Sequence, residues 1–398
     1  MTAAISVAPP TQKLWTRRVV LVLSVQAMFG LGWSAYLVEP KFLATALGAN
    51  PDQIARVMLM SPFASVCMVP ATVALMDRVS RVWLFRVGLL SLIGASIGYT
   101  TVHTLTPLLY LLQAGVGISY ALAFNATTAI IADEAPRERI GEAIGLLGAS
   151  NVMTNAFATT LAEHLAARFG WKTAFETSLG LAVLALVVSS RVKDRRRTTH
   201  VARDISVLPY LRGPLGRVLV CSALTGAAFS AMFTFHQPYV LELGGKAVSP
   251  FFVGFTTSAV AVRLLFGSLG DRLGHRRVSM FAMVAYGLVA LATAWLEVDY
   301  LVLYGLGLGV AHGVLYPTLN THGVHAAPDG TRGRAIALYG GSFNVGAAIA
   351  TLTWGRVAST LGFPAVFIGA SLAAFTGAFI LSTRGARLPG DGGPAAWA

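Results

Sequence analysis

Charge is scarce in this sequence. Asp, Glu, Lys and Arg make up 12% of its 398 residues, about half of the ~25% usual in a soluble domain. With 55% hydrophobic residues beside so little charge, the chain lacks the polar surface to coat itself against water. There are two cysteines, Cys67 and Cys221, both inside apolar runs with neither CxxC spacing nor histidine neighbours. They are expected as small buried hydrophobes rather than as a disulfide or a metal site. No phosphate loop of the form GxxxxGK followed by Ser or Thr occurs, so ATP is not expected as a directly bound energy source. Acids are fewer than bases, 17 against 30, which leaves a net charge of +13. No basic face interleaved with aromatic residues accompanies that excess, so nucleic acid is not an expected partner.

What the sequence has in quantity is apolar runs of membrane-crossing length, about 20 residues each. Twelve can be laid out, near residues 18–40, 53–76, 83–102, 107–131, 141–166, 172–190, 217–241, 250–270, 278–297, 300–322, 334–358 and 364–383. Membrane-spanning strands would alternate apolar and polar residues, and these runs are apolar throughout. The expected class is therefore an all-α, multi-pass protein of the lipid bilayer. The first run is too long for a signal-peptide core and shows no clear small-residue cleavage site, so it is read as a retained span.

The positive charge then has a cause. Lys13, Arg17, Arg18, Arg78, Arg81, Arg137, Arg139, Arg272, Arg276, Arg277, Arg332, Arg334, Arg384 and Arg387 all fall between runs on one side. The other side keeps Lys41, Arg56, Arg168, Lys172, Lys246 and Arg356. Positive charge collects in the cytoplasm, which predicts an inner-membrane protein with both termini cytoplasmic. The organisation expected is a six-helix half over 1–190, a basic cytoplasmic linker over 191–216, a second six-helix half over 217–383 and a cytoplasmic tail over 384–398. The linker reads as a tether and topology signal that touches anionic lipid heads.

The two halves repeat. Ala143, Ile144, Gly148, Ser150, Gly170 and Phe175 match Ala335, Ile336, Gly340, Ser342, Gly362 and Phe367 at one common offset, which Pro136 and Pro328 share. Earlier, WSAYLVEPKFL matches SAMFTFHQPYVL and pairs Pro40 with Pro238. A duplicated six-span unit points to a transporter with its site where the repeats meet.

Between spans eight and nine runs GSLGDRLGHRR, residues 267–277, where glycines permit a tight turn and Asp271 can meet arginines or a helix N-terminus. The matching turn in the first half holds Asp77, Arg78 and Arg81. With its twelve spans and basic middle loop, GSLGDRLGHRR resembles the loop signature of the major facilitator superfamily, Gly-x-Leu-x-Asp-Arg-x-Gly-Arg-Arg. The resemblance covers essentially the whole chain. It implies two pseudo-symmetric halves rocking by alternating access, and a cytoplasmic latch made of Asp77, Arg78, Arg81, Asp271, Arg272, Arg276 and Arg277. Arg263, before the loop in RLLFGSLGDRLG, resembles the efflux-permease-like branch. The antiporter pattern Arg-x-x-Gln-Gly of span four is absent: the chain reads Tyr110-Leu-Leu-Gln113-Ala114.

No Asp or Glu falls near the middle of a span. Candidate substrate or proton residues are therefore His312, near the middle of span ten, and His236 with Glu39 at the outer mouth, where Glu39 is expected to pair with His236 or Lys41. Arg263 is costly within the membrane and is expected either to brace Asp271 or to bind an anionic substrate. Asn125, Gln113, Asn320, Tyr120 and Trp33 supply hydrogen bonds and aromatic wall, alongside the commoner roles of helix glue and core. The function expected is secondary active transport of a small organic molecule, proton-coupled and directed outward, with proton-coupled uptake as the alternative. A membrane-embedded enzyme is the remote reading, since its best metal motif, HGVH at His322–His325, lacks a third ligand at sensible spacing. Neither catalytic residues nor a cofactor or metal are expected.

Overall fold

The computed structural model describes residues 15–76, 79–134, 139–193, 213–328 and 331–383. Asp77, Arg78, most of the 191–216 linker and the 384–398 tail lie outside the described residues. Among the described residues there is no strand. Apolar runs in lipid satisfy every backbone N–H and C=O within the segment, which leaves helices as the outcome.

Among the described residues twelve helical spans follow one another. In the first half they are α1 (Arg17–Ser34, continued through Glu39–Leu47), α2 (Pro51–Met58 then Met60–Met76), α3 (Arg81–Tyr99), α4 (Leu108–Glu134), α5 (Ile140–Phe169) and α6 (Trp171–Ser189). In the second they are α7 (Pro214–Ser230, continued to His236–Glu242), α8 (Ser249–Phe266), α9 (His275–Thr293), α10 (Leu301–Ala326), α11 (Arg332–Leu361) and α12 (Phe363–Ser382). Ten of these are long and apolar enough to cross a membrane by length and composition. Of the other two, α2 is interrupted at Leu59, and α5 carries Asn151, Thr154, Asn155, Thr159, Glu163 and His164. The polar positions of α5 have work elsewhere in the molecule.

The packing obeys the repeat seen in the sequence. In the first half α4 packs on α2 and α3, and α6 on α1 and α3; in the second α10 packs on α8 and α9, and α12 on α7 and α9. The halves meet along two seams, α5 against α8 and α11 against α2. The shared glycines now have a reason. Gly170 and Gly362 turn the chain between α5 and α6 and between α11 and α12 at φ 88° and 84°, a region where a Cβ is penalised. Gly274 does the same at φ 89° in the charged turn.

The paired prolines also act, though differently in each half. Pro40 has no N–H to offer the carbonyl of Tyr36, and the chain tightens to a 3₁₀ turn over Ala35–Val38 in which the N–H of Glu39 takes that carbonyl. Before Pro238 the helix instead widens to a π-turn over Ala231–Phe235. Cys221 is buried as expected, whereas Cys67 is exposed. An apolar thiol on a membrane helix loses nothing by exposure, because lipid tails are as apolar as the protein core.

Candidate functional site

Call the end of the bundle that carries the start of α1 and the end of α12 the termini face, and the other the far face. At the far face the halves are bonded directly. The Lys41 ammonium of α1 pairs with Glu163 of α5 and donates to the backbone carbonyl of Lys246 in the other half. The two Glu163 oxygens accept the backbone N–H of Val248 at 2.8 Å and of Ser249 at 2.9 Å. Those are the first amides of α8, and its N-cap position, Val248, has no side chain able to serve them. An acid from the opposite half therefore caps the helix and meets the positive end of its dipole. Gln237 adds a second bridge, donating to Leu37 O at 2.7 Å and Phe233 O at 2.9 Å and accepting from Lys41 N at 3.3 Å. At the other seam Gly355 lets the backbone of α11 lie against Pro51 and Ala55 of α2.

At the termini face the ion pairs join helices of the same half. Arg18 pairs with Glu134 at 2.6 Å and Arg81 pairs with Asp133. Arg276 donates to the carbonyls of Leu381, Ser382 and Thr383 at 2.7–3.1 Å, closing the end of α12. Asp271 stands 3.2 Å from His275 with its side chain 72% exposed. Arg272 and Arg277 are exposed. Leu264, Leu265 and Phe266 at the end of α8 are also exposed.

Between the faces, side chains from both halves gather. Trp33 of α1 donates to Val116 O at 3.1 Å and lies 4.5 Å from the ring of Tyr120, which stacks on Phe124. Tyr120 lies near the Asn151 side chain of α5 and close enough to Tyr316 and Arg263 of the second half to interact with them electrostatically. His312 sits in a ring of aromatics, with Phe229, Tyr316, Phe255, Phe343 and Tyr286 at 5.0–6.2 Å. Its Nδ1 is buried and unpartnered, as is Oδ1 of Asn320 one helix turn beyond Tyr316. Arg263 is partly exposed, makes no hydrogen bond or ion pair among the described residues, and acts electrostatically on Tyr120, Tyr316 and His312.

The expected residues thus separate into groups. Trp33, Tyr120, Arg263 and His312 come together between the halves, and Asn320 follows one turn further along α10 with a buried Oδ1. Arg263 does not brace Asp271, because the carboxylate has turned to His275. Glu39 pairs with neither His236 nor Lys41. It lies buried inside the first half, where Oε1 accepts the Tyr99 hydroxyl at 2.5 Å and Oε2 has no partner. Gln113 belongs to that same cluster, accepting from Tyr99 at 3.4 Å and donating to Met58 Sδ. His236 is fully buried, stacked 4.0 Å from Phe251 with Nδ1 on Met232 O at 2.6 Å. Asn125 is exposed. Sequence reasoning missed Glu163, Tyr99, Phe229 and Phe343. A glutamate in the polar stretch of α5 was a signal for the first, but its partners lie 85 and 86 residues away in the other repeat.

Known proteins share this arrangement. Residues 21–262 and 218–396 match the family model of the Major Facilitator Superfamily. The multidrug resistance protein MdtG of Dickeya zeae is 25% identical over 388 residues, covering 92% of this chain and 87% of that one. A protein of Mannheimia succiniciproducens named "Probable sugar efflux transporter" is 24% identical over 281 residues, 67% of this chain and 68% of its own. The solved structure of the nucleoside transporter NupG superposes with a TM-score of 0.77 over 92% of this chain and 99% of that one, at 12% identity, a likeness of fold. Two repeated six-helix halves meeting at two seams around a shared interior, together with family matches that span both halves, make this chain a member of the Major Facilitator Superfamily and a multi-pass membrane transporter.

Proposed function

We propose that the protein exports a small organic molecule, with protons moving inward as the driving ion, through alternating exposure of the region between its halves. The observation that carries the reading is the cross-half cluster of Tyr120, Arg263, His312 and Tyr316, beneath a far face tied shut through Glu163 and Gln237. With the termini inside, as the placement of positive charge supports, this conformation is the one open to the cytoplasm. The relatives named for efflux support the outward direction.

Glu39 supports the coupling. A carboxylate left without a cation in an apolar interior is expensive, and Oε2 of Glu39 has no partner while Lys41 is committed to Glu163. A proton taken up there removes an uncompensated charge beside Tyr99. Such a group, on a helix broken just before it, can link proton uptake to movement of the far half of α1.

The test is transport by cells carrying the protein against cells lacking it, across a panel of small organic compounds, with and without a protonophore. Export that collapses with the proton gradient is the expected result. Glu39→Gln should abolish gradient-driven movement while leaving exchange of cargo across vesicles at equal pH. Gradient-dependent accumulation inside the cell would replace export with uptake, and unchanged gradient-driven transport in Glu39→Gln would remove that residue from the coupling.

A further inference from the structure

We propose that the cargo is a small aromatic carboxylate, with its acid group on Arg263 and its ring against the aromatic wall around His312. The inference rests on the transport reading above and specifies the substrate of that same site.

The first argument is charge. A guanidinium inside a membrane protein is costly unless something compensates it, and Arg263 has neither ion pair nor hydrogen bond among the described residues. The carboxylates that might serve are occupied elsewhere. Asp133 holds Arg81, Glu163 caps α8, Asp271 turns to His275, and Glu39 faces Tyr99 within the first half. A bound anion supplies the missing partner, and a carboxylate matches the planar fork of a guanidinium in two parallel hydrogen bonds. A cationic cargo would meet Arg263 with no acid to offset it.

The second argument is position. Arg263 acts electrostatically on Tyr120 of one half and on Tyr316 and His312 of its own. Both tyrosines carry hydroxyl donors suited to the same anion. A ligand seated here touches both halves, which is what lets its binding energy differ between two conformations.

The third argument is shape. Phe229, Phe343, Tyr316 and His312 form a continuous wall with ring centroids 5.0–6.2 Å apart. Such spacing suits a further ring in offset or edge-on contact. The buried Nδ1 of His312 and Oδ1 of Asn320 lack partners, polar atoms that a water or a ligand group can meet. Planar, apolar and singly anionic is the chemistry these residues would recognise together.

The experiment uses the whole purified protein in detergent and three probes of one shape: 1-naphthoate, 1-naphthalenemethanol and 1-naphthylmethylamine. Equilibrium binding should favour the anion at least tenfold over the alcohol, with the amine weakest. Arg263→Gln should cost the anion at least tenfold and leave the alcohol within about twofold. Equal or tighter binding of the amine would overturn the proposal, as would unchanged naphthoate affinity in Arg263→Gln. If that variant does not fold, the three probes on the native protein and the Arg263→Lys variant decide the matter. Naphthoate that binds but never crosses a vesicle membrane would sink the transport reading and keep the site. Export of neutral compounds with no anion preference would sink the substrate class and keep transport.

Discussion

Two histidines looked alike as single letters and differ in their surroundings. His236 is completely buried, with its ring flat on Phe251 and its Nδ1 committed to the Met232 carbonyl. Each ring keeps one buried nitrogen without a partner, Nε2 in His236 and Nδ1 in His312, but only His312 has Arg263 as an electrostatic neighbour. His236→Ala should therefore lower stability by about 2–4 kcal/mol, as large-to-small core changes do, and leave cargo affinity within twofold. His312→Ala should carry a stability cost of similar kind and in addition weaken cargo binding about tenfold. Thermal unfolding and binding measured on the same purified samples separate the two. Neither fate was legible in sequence. Both residues sit in apolar helical runs, and which wall each ring meets is decided by helices far away in the chain.

At the scale of helices, much was legible. The spans follow from apolar length and the repeat follows from matched Gly, Ser and Phe positions; Pro40 and Pro238 stand out in the sequence as a matched pair, and the breaks before them in α1 and α7 show only in the structure. The closure of the far face did not follow. The N-termini of α2 and α8 sit at matching places in the repeat, yet α2 caps itself through Asn50 and Gln53 in a reciprocal capping box, whereas α8 borrows Glu163 from across the seam. A local pattern rule sees the first and cannot see the second. Replacing Glu163 with Gln exchanges charge-assisted bonds for neutral ones, which are weaker by about 1–2 kcal/mol. The closed far face should lose population accordingly. Spin labels at Thr45→Cys and Glu242→Cys, in a Cys67→Ser background, should show a longer distance component than in the parent; an unchanged distance distribution would mean that Glu163 does not hold the face shut.

For the whole molecule, the charged turn at 267–277 gains a specific expectation. In this conformation Asp271 offers only an exposed contact with His275, and exposed pairs of this kind contribute about 0–1 kcal/mol. If the turn latches the termini face in the opposite conformation, as the family resemblance implies, its partners are made there and not here. Asp271→Asn should then leave the thermal stability of this conformation nearly unchanged, slow transport strongly, and shift the same spin-label pair toward the short, closed-far-face distance. Normal transport rates in that variant would reduce the turn to a topology signal. The sequence displayed this motif plainly because its residues are contiguous. The cross-half cluster stayed hidden because Tyr120, Arg263, His312 and Tyr316 come from three helices in two repeats, and only the packing of the halves brings them together.

The two seams of the far face are built from unlike materials. Where α11 meets α2, Gly355 brings the helix against the Ala55 methyl and the Pro51 carbonyl; where α5 meets α8, the matching place holds a carboxylate clamped on two amides. Dispersion contacts carry no directional requirement, so packed surfaces can slide and re-form them, whereas a hydrogen bond weakens steeply once its angle and distance leave the favoured range. The first seam can thus serve as a hinge pin and the second as a snap fastener. Opening of this face would begin as a peel from the α5–α8 edge, and its rate would be set by how quickly water replaces Glu163 at the head of α8.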